Sequence, residues 1–184
     1  MKLKGIKPAI VFAAAAAFVI FAGTFMAQQQ LTDPRIVIHK RARTLKLFDG
    51  RKLVRSYKMV LGSVPVGDKE VEGDGRTPEG EFYVFVKNDK SKFTLSLGLS
   101  YPSSEDAERG VRAGLISSSE AEEIKASINV KAMPPQKTRL GGEIYIHGGG
   151  IDRDWTDGCI ALSDNDIAEL FSLARIGMPV TILP

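Results

Sequence analysis

The chain has 184 residues, with 25 Lys and Arg against 22 Asp and Glu, a formal net charge of +3 and 43% hydrophobic residues. Lys2, Lys4 and Lys7 crowd the N-terminus and the remainder balances 22 against 22, so the sequence pI of about 9.0 is no evidence for nucleic-acid binding. A single Cys excludes an internal disulfide, and one Cys with two His falls short of a zinc-binding set.

After the three lysines, Pro8 to Ala27 form an apolar run without a charge. A basic segment followed by such a run is a secretory signal or a membrane anchor. The run approaches the ~20 residues that cross a bilayer and exceeds a signal core of about 7–15. Cleavage after Ala27 would put Phe25 where a small residue is preferred, so the sequence favours an uncleaved anchor. The lysines then stay in the cytoplasm and the rest faces the exported side, the periplasm. Residues 1–30 are read as the basic region with its anchor or signal segment, most simply a hydrophobic helix. Residues 31–34 form a short linker, and residues 35–184 make one domain with room for a real core.

In that domain, the β-branched run Arg35 to His39 and the alternating Thr44 to Phe48 predict strands. Asp49-Gly50 gives a hairpin turn, with Lys52 to Leu61 as the returning partner. Further strands are expected over Gly80 to Val86 and Phe93 to Ser100. Ser103 to Ala113 predicts a helix ending near Gly114. A second helix is expected from Ser119, which stands at capping-box spacing from Glu122, through Ile128. Met133-Pro134-Pro135 breaks it and begins a loop with Lys137 and Arg139, either a wall or lid over a site or a plain surface loop. Strands Glu143 to His147 and Cys159 to Leu162 follow. A helix from Asp164 to Arg175, capped by Ser163 and closed by Gly177, leads to a last strand from Met178 to Leu183. Many strands with few helices predict a mainly β sandwich or barrel.

The chemistry concentrates in Tyr145-Ile146-His147-Gly148-Gly149-Gly150 and Asp154-Trp155-Thr156-Asp157-Gly158-Cys159-Ile160-Ala161-Leu162. The only cysteine follows one of two histidines, and both sit in glycine-rich surroundings. A thiol is a good nucleophile as thiolate, and a neighbouring imidazole is the usual means of making one near neutral pH. Glycines let backbone approach a substrate and aim N–H groups at a developing oxyanion. The pattern points to acyl transfer by a cysteine. The competing readings are a small buried hydrophobe for Cys159 and a structural strand-end residue for His147. His39, beside Lys40 and Arg41, reads as a solvated strand end and is the weaker base candidate. The loop from Gly73 to Gly80 lacks the Gly-Lys-Ser/Thr ending of a phosphate loop.

The segment His147 to Leu162 resembles the signature of the L,D-transpeptidases, the YkuD-type catalytic domain. A second block, Leu61-Gly62 to Gly67 and then Gly73-Asp74-Gly75-Arg76-Thr77-Pro78-Glu79-Gly80-Glu81-Phe82-Tyr83, is similar to that domain's turn and following strand. The blocks stand in the family's order and together cover residues 35 to 184. The resemblance implies a mainly β catalytic fold that needs no cofactor and acts on peptidoglycan stem peptides. It makes Cys159 the nucleophile and His147 the general base and acid. A thioester forms as terminal D-alanine leaves, and an amine resolves it. Backbone N–H groups at Gly158 and Cys159 become oxyanion donors, with Gly148 shaping the site. Thr156 either orients the site or serves turn chemistry.

Two positions depart from the family pattern: Asp157 stands where many members have histidine, and Ala161 where many have arginine. Arg76, Arg139 and Arg153 are the candidates to bind substrate carboxylates in its place, against a reading as solvated surface charges. Trp155 either stacks on a glycan or packs beneath the loop. The string Asp154 to Ala161 resembles a subgroup that includes proteins hydrolysing the link between peptidoglycan and a bound lipoprotein. Three readings therefore stand: a transferase, a hydrolase of the diaminopimelate–lysine link, and a non-catalytic wall-binding module.

Overall fold

The structure is a computed structural model that describes residues 30–184, so the expected helix over Pro8 to Ala27 lies outside the described residues. Strand β1 (Pro34–His39) alternates buried and half-buried residues, and β2 (Thr44–Asp49) repeats the pattern. Ile36, Ile38, Leu45 and Leu47 thus share one core face. Each such side chain contributes about 1.5–3 kcal/mol when fully buried. Gly50 turns the chain at a φ of 55° into β3 (Lys52–Lys58). The Asp49 carboxylate accepts from the N–H groups of Thr32 and Asp33, which ties the start of the domain to this hairpin.

The long strand β4 (Gly80–Ser91) joins the two halves of the sheet. Its first residues pair with β8 (Pro179–Leu183), and those from Val84 on with β5 (Thr94–Leu99), with a register shift between Val84 and Val86. Next come β6 (Tyr145–His147) and the two-residue β7 (Ile160–Ala161). The order is β3-β2-β1-β8-β4-β5-β6-β7, antiparallel except at β1/β8 and β6/β7. Val60, just beyond β3, exchanges two hydrogen bonds of 3.0 Å with Ala161 of β7. The sheet therefore curls until its ends meet, as a half-barrel around one core. The fold is mainly β, as expected, with three helices among the described residues.

Helices α1 (Ser104–Arg112) and α2 (Ser118–Asn129) form a separate layer with a small core of Ala107, Ile116, Ala121, Ile124 and Leu140. The capping box of α2 is Ser117 with Glu120, two residues before the expected pair, because buried Ile116 anchors the preceding turn and places Ser119 inside the helix. Helix α3 (Asp164–Leu173) starts at the expected Ser163 cap but stops two residues early. The Lys87 ammonium takes the carbonyls of Phe171 and Ala174 at 2.6 and 2.8 Å, which satisfies the last turn there.

Candidate active site

His147 ends β6, and Cys159 immediately precedes the neighbouring β7. Ile146 lies opposite Ile160 and His147 opposite Ala161. Side chains alternate along a strand, so Ile146 and Ile160 enter the core while Tyr145, His147 and Cys159 share the other face. That face opens on a cleft of about 760 Å³, which Phe93, Ser96, Glu143, Trp155, Thr156 and Asp157 also line.

His147 is buried, and its Nδ1 lies 2.6 Å from the Gly148 carbonyl oxygen. A carbonyl only accepts, so Nδ1 carries the proton and Nε2 of the neutral ring keeps its lone pair for a substrate. Phe93 stacks on the ring at 4.5 Å and 22°, and Trp155 meets it edge-on at 5.6 Å. Trp155 thus packs against the imidazole, with its indole N–H donating to the Gly150 carbonyl. Burial lowers the imidazole pKa, which the Gly148 bond opposes and the Lys92 ammonium reinforces.

The half-buried thiol donates to the Glu143 carbonyl at 3.4 Å and accepts from the Tyr145 N–H at 3.4 Å. Glu143 has a φ of 55°, and its N–H is held by the Gln136 side chain at 2.7 Å. Desolvation pushes the Cys159 pKa up to about 11; the Asp157 and Glu143 carboxylates add to the rise, while the Tyr145 N–H and Lys69 oppose it. Both groups are therefore neutral at rest. The thiolate expected beside an imidazole is not the ground state, because burial outweighs the donors around the sulfur.

The Thr156 hydroxyl braces the turn before the cysteine. It donates to the Cys159 carbonyl at 2.7 Å and accepts from the Gly158 N–H at 3.2 Å. Gly158 sits at a φ of +128°, and a Cβ there would lie 2.7 Å from the Arg76 carbonyl oxygen. Gly148 likewise leaves room for Asp164 Oδ1 and the Phe93 carbonyl, and that carboxylate accepts from the Gly149 N–H at 2.9 Å. Asp154 receives the Leu61 N–H at 2.8 Å and pairs with Arg43 at 2.6 Å, fixing the loop onto the end of the first hairpin. Behind this, Gly62 donates to the Thr77 hydroxyl at 3.1 Å. Buried Lys40 clips the same loop through the carbonyls of Gly67 and Thr77 and the Glu79 carboxylate, at 2.5, 2.8 and 2.8 Å.

The sequence pattern described as the YkuD L,D-transpeptidase catalytic domain matches residues 33–182. The chain belongs to this family. Among solved structures, the fold is similar to the helical cell shape determining protein Pgp2 from Campylobacter jejuni, at 21% identity and TM-score 0.56, over 82% of this chain and 47% of that one. It is also similar to Bd1075 from Bdellovibrio bacteriovorus, at 17% identity and TM-score 0.55, over 83% and 48%. The chain spans about half the length of these two proteins. Comparison with curated protein sequences finds no match.

Of the site residues expected from the L,D-transpeptidase resemblance, Cys159, His147, Thr156 and Trp155 line the cleft, and Gly158 and Gly148 are the close-packed glycines beside it. The three arginines are elsewhere. Arg76 turns its guanidinium to Glu70 and the Asp68 carbonyl, and only its main chain touches the site. Arg139 and Arg153 are exposed and outside the cleft, and His39 ends β1 away from it. The cleft's cations among the described residues are Lys69, Lys90 and Lys92, which sequence reading missed. Lys69 is nearly buried against Asp74 at 2.8 Å. Burial alone would raise the Asp74 pKa, but Lys69 and the N–H groups of Glu70, Arg76 and Val71 hold it below the usual value. The loop after α2 does form a wall, through Gln136 and Gly141 to Glu143, while Lys137 and Arg139 stay outside. No group of three or more His, Cys, Asp or Glu that could hold a metal occurs among the described residues.

Proposed function

We propose that this domain is a cysteine acyl-transferase acting on peptidoglycan stem peptides. The single observation that carries the reading is that His147, at the end of β6, and Cys159, just before the neighbouring β7, open on one cleft, with His147 Nδ1 committed to a carbonyl and Nε2 free. The thiol gives its proton to Nε2 as the sulfur attacks the peptide carbonyl, because neither group is charged beforehand. The Cys159 N–H is the oxyanion donor in this scheme, since Thr156 takes the Gly158 N–H. His147 then protonates the leaving D-alanine, and an amine resolves the thioester into an L,D cross-link. The reaction runs on the exported side of the membrane, with Pro8 to Ala27 as the anchor. Incubation with a disaccharide-tetrapeptide tests this by release of D-alanine; no release and no acyl adduct on Cys159 refutes it.

A second reading keeps the acyl-enzyme and uses water as acceptor, cleaving the diaminopimelate–lysine link to a bound lipoprotein. It is favoured by Ala161 and by a cleft whose described cations are lysines, leaving a carboxylate without a bidentate guanidinium. Sacculi carrying bound lipoprotein separate the two: released protein without new cross-links supports the hydrolase, and new cross-linked dimer alone refutes it.

A further inference from the structure

Ser96 takes no part in the scheme above. It stands directly opposite His147 across the β5/β6 pair, is 3% exposed and lines the cleft. Leu95, Leu97 and Leu99 turn to the core, so Ser96 takes the face that His147 occupies. Opposed residues on antiparallel strands keep their Cβ atoms about 4.5–5.5 Å apart, which puts the hydroxyl beside the imidazole. The neighbouring buried hydroxyls are engaged. Thr156 bonds the Cys159 carbonyl and the Gly158 N–H, and Ser100 receives the Tyr83 N–H. The Ser96 hydroxyl makes no hydrogen bond to any described residue. Among the described residues, the hydroxyls sealed from solvent without a partner are those of Thr44 and Tyr57, so the Ser96 hydroxyl opens to the cleft, where an arriving polar group can bond it.

Building on the acyl-transfer reading, we infer that Ser96 is a catalytic residue that holds the reacting amine against His147. In the first half-reaction, sulfur bonds to the carbonyl carbon and the C–N bond breaks. The thiol proton passes through His147 Nε2 to the leaving nitrogen, whose N–H donates to Ser96 Oγ. In the second, the acceptor amine donates an N–H to Ser96 Oγ while its nitrogen attacks the thioester. The C–N bond forms, the C–S bond breaks, and the amine proton returns through His147 to sulfur. No oxidant, reductant or further reactant is needed.

The test uses the full-length protein and two donors with one acyl group: the disaccharide-tetrapeptide, which loses D-alanine, and a thioester of the same acyl group, which loses a thiol. Ser96→Ala should lower kcat for D-alanine release about tenfold with little change in KM. It should leave acylation of Cys159 by the thioester within about twofold, because no amine leaves there. Ser96→Thr should restore most of the amide rate. An unchanged amide rate overturns the inference. Equal slowing with both donors also overturns it, since a serine that only supports the fold behaves so. If the unsubstituted protein is acylated by neither donor, the acyl-transfer reading itself falls and this inference with it.

Discussion

The Arg76 carbonyl oxygen lies 2.7 Å from the point where a Cβ on residue 158 would begin. The two sequence blocks separated by about half the domain thus meet backbone to backbone, directly behind the thiol. Gly158 satisfies two demands there: no side chain, and a φ of +128°.

Gly158→Ala should therefore destabilise the domain by about 1–3 kcal/mol, the usual cost of backbone held in a region L residues avoid. For a chain of this size each kcal/mol lowers Tm by roughly 2–4 °C. Cys159 follows immediately, so acylation should slow by up to about a hundredfold even in the folded fraction. Thermal melting and thioester formation on the same sample measure both; a variant that melts and acylates like the parent removes the packing argument.

The thiol's acidity gives a pH test. With its pKa pushed up to about 11, Cys159 is protonated near neutral pH, and the alkylation rate should rise with pH toward a midpoint near that value. At pH 7 iodoacetamide should react more slowly than with free cysteine, whose thiol titrates near ~8.5. His147→Gln should leave the midpoint in place, since the imidazole it removes is neutral. A midpoint below pH 8 that moves up in that variant would show a preformed thiolate–imidazolium pair instead.

Lys40 offers a stability test away from the chemistry. Its ammonium is 2% exposed and holds two carbonyls and Glu79. Lys40→Met should cost about 3 kcal/mol, the lower end for breaking a buried pair, because Glu79 keeps partial solvent contact. Adding Glu79→Gln should return part of the loss, giving a coupling above about 0.5 kcal/mol by chemical denaturation. Strictly additive losses would mean that the loop does not depend on this clip.

The strands and helices were legible because their signals are local. A β-branched run marked β1, alternation marked β2, Asp49-Gly50 marked the turn, and Ser163 marked the start of α3. His147, Cys159 and the glycines between them were legible as a motif. What the sequence hid depends on contacts between distant segments. Lys40 looks like part of a solvated basic cluster, yet the loop from Gly67 to Glu79 folds over it. Phe93 and Ser96 come beside His147 only because β5 pairs with β6 across an inserted helical pair. The arginine candidates failed for the same reason. Charge alone cannot say which side of a loop a guanidinium takes, and Arg76 follows Glu70 while lysines from the β4–β5 hairpin reach the cleft.

His147→Gln should lower kcat for D-alanine release by about 10²–10⁴, the range for a positioned acid–base group, while the folded structure survives. Gln keeps bulk and a hydrogen-bonding end but cannot carry the proton from sulfur to nitrogen. Steady-state kinetics with circular dichroism on the same preparation checks it. A variant that retains the parent's kcat would leave His147 as a structural residue.

The most direct measurement is intact-protein mass spectrometry after mixing the full-length chain with disaccharide-tetrapeptide. The expected result is an adduct equal to the donor minus D-alanine, localised to Cys159 by peptide mapping, absent in Cys159→Ala and accompanied by free D-alanine. Free D-alanine without any adduct in quenched early time points, or equal turnover by Cys159→Ala, would contradict a cysteine acyl-enzyme at this site.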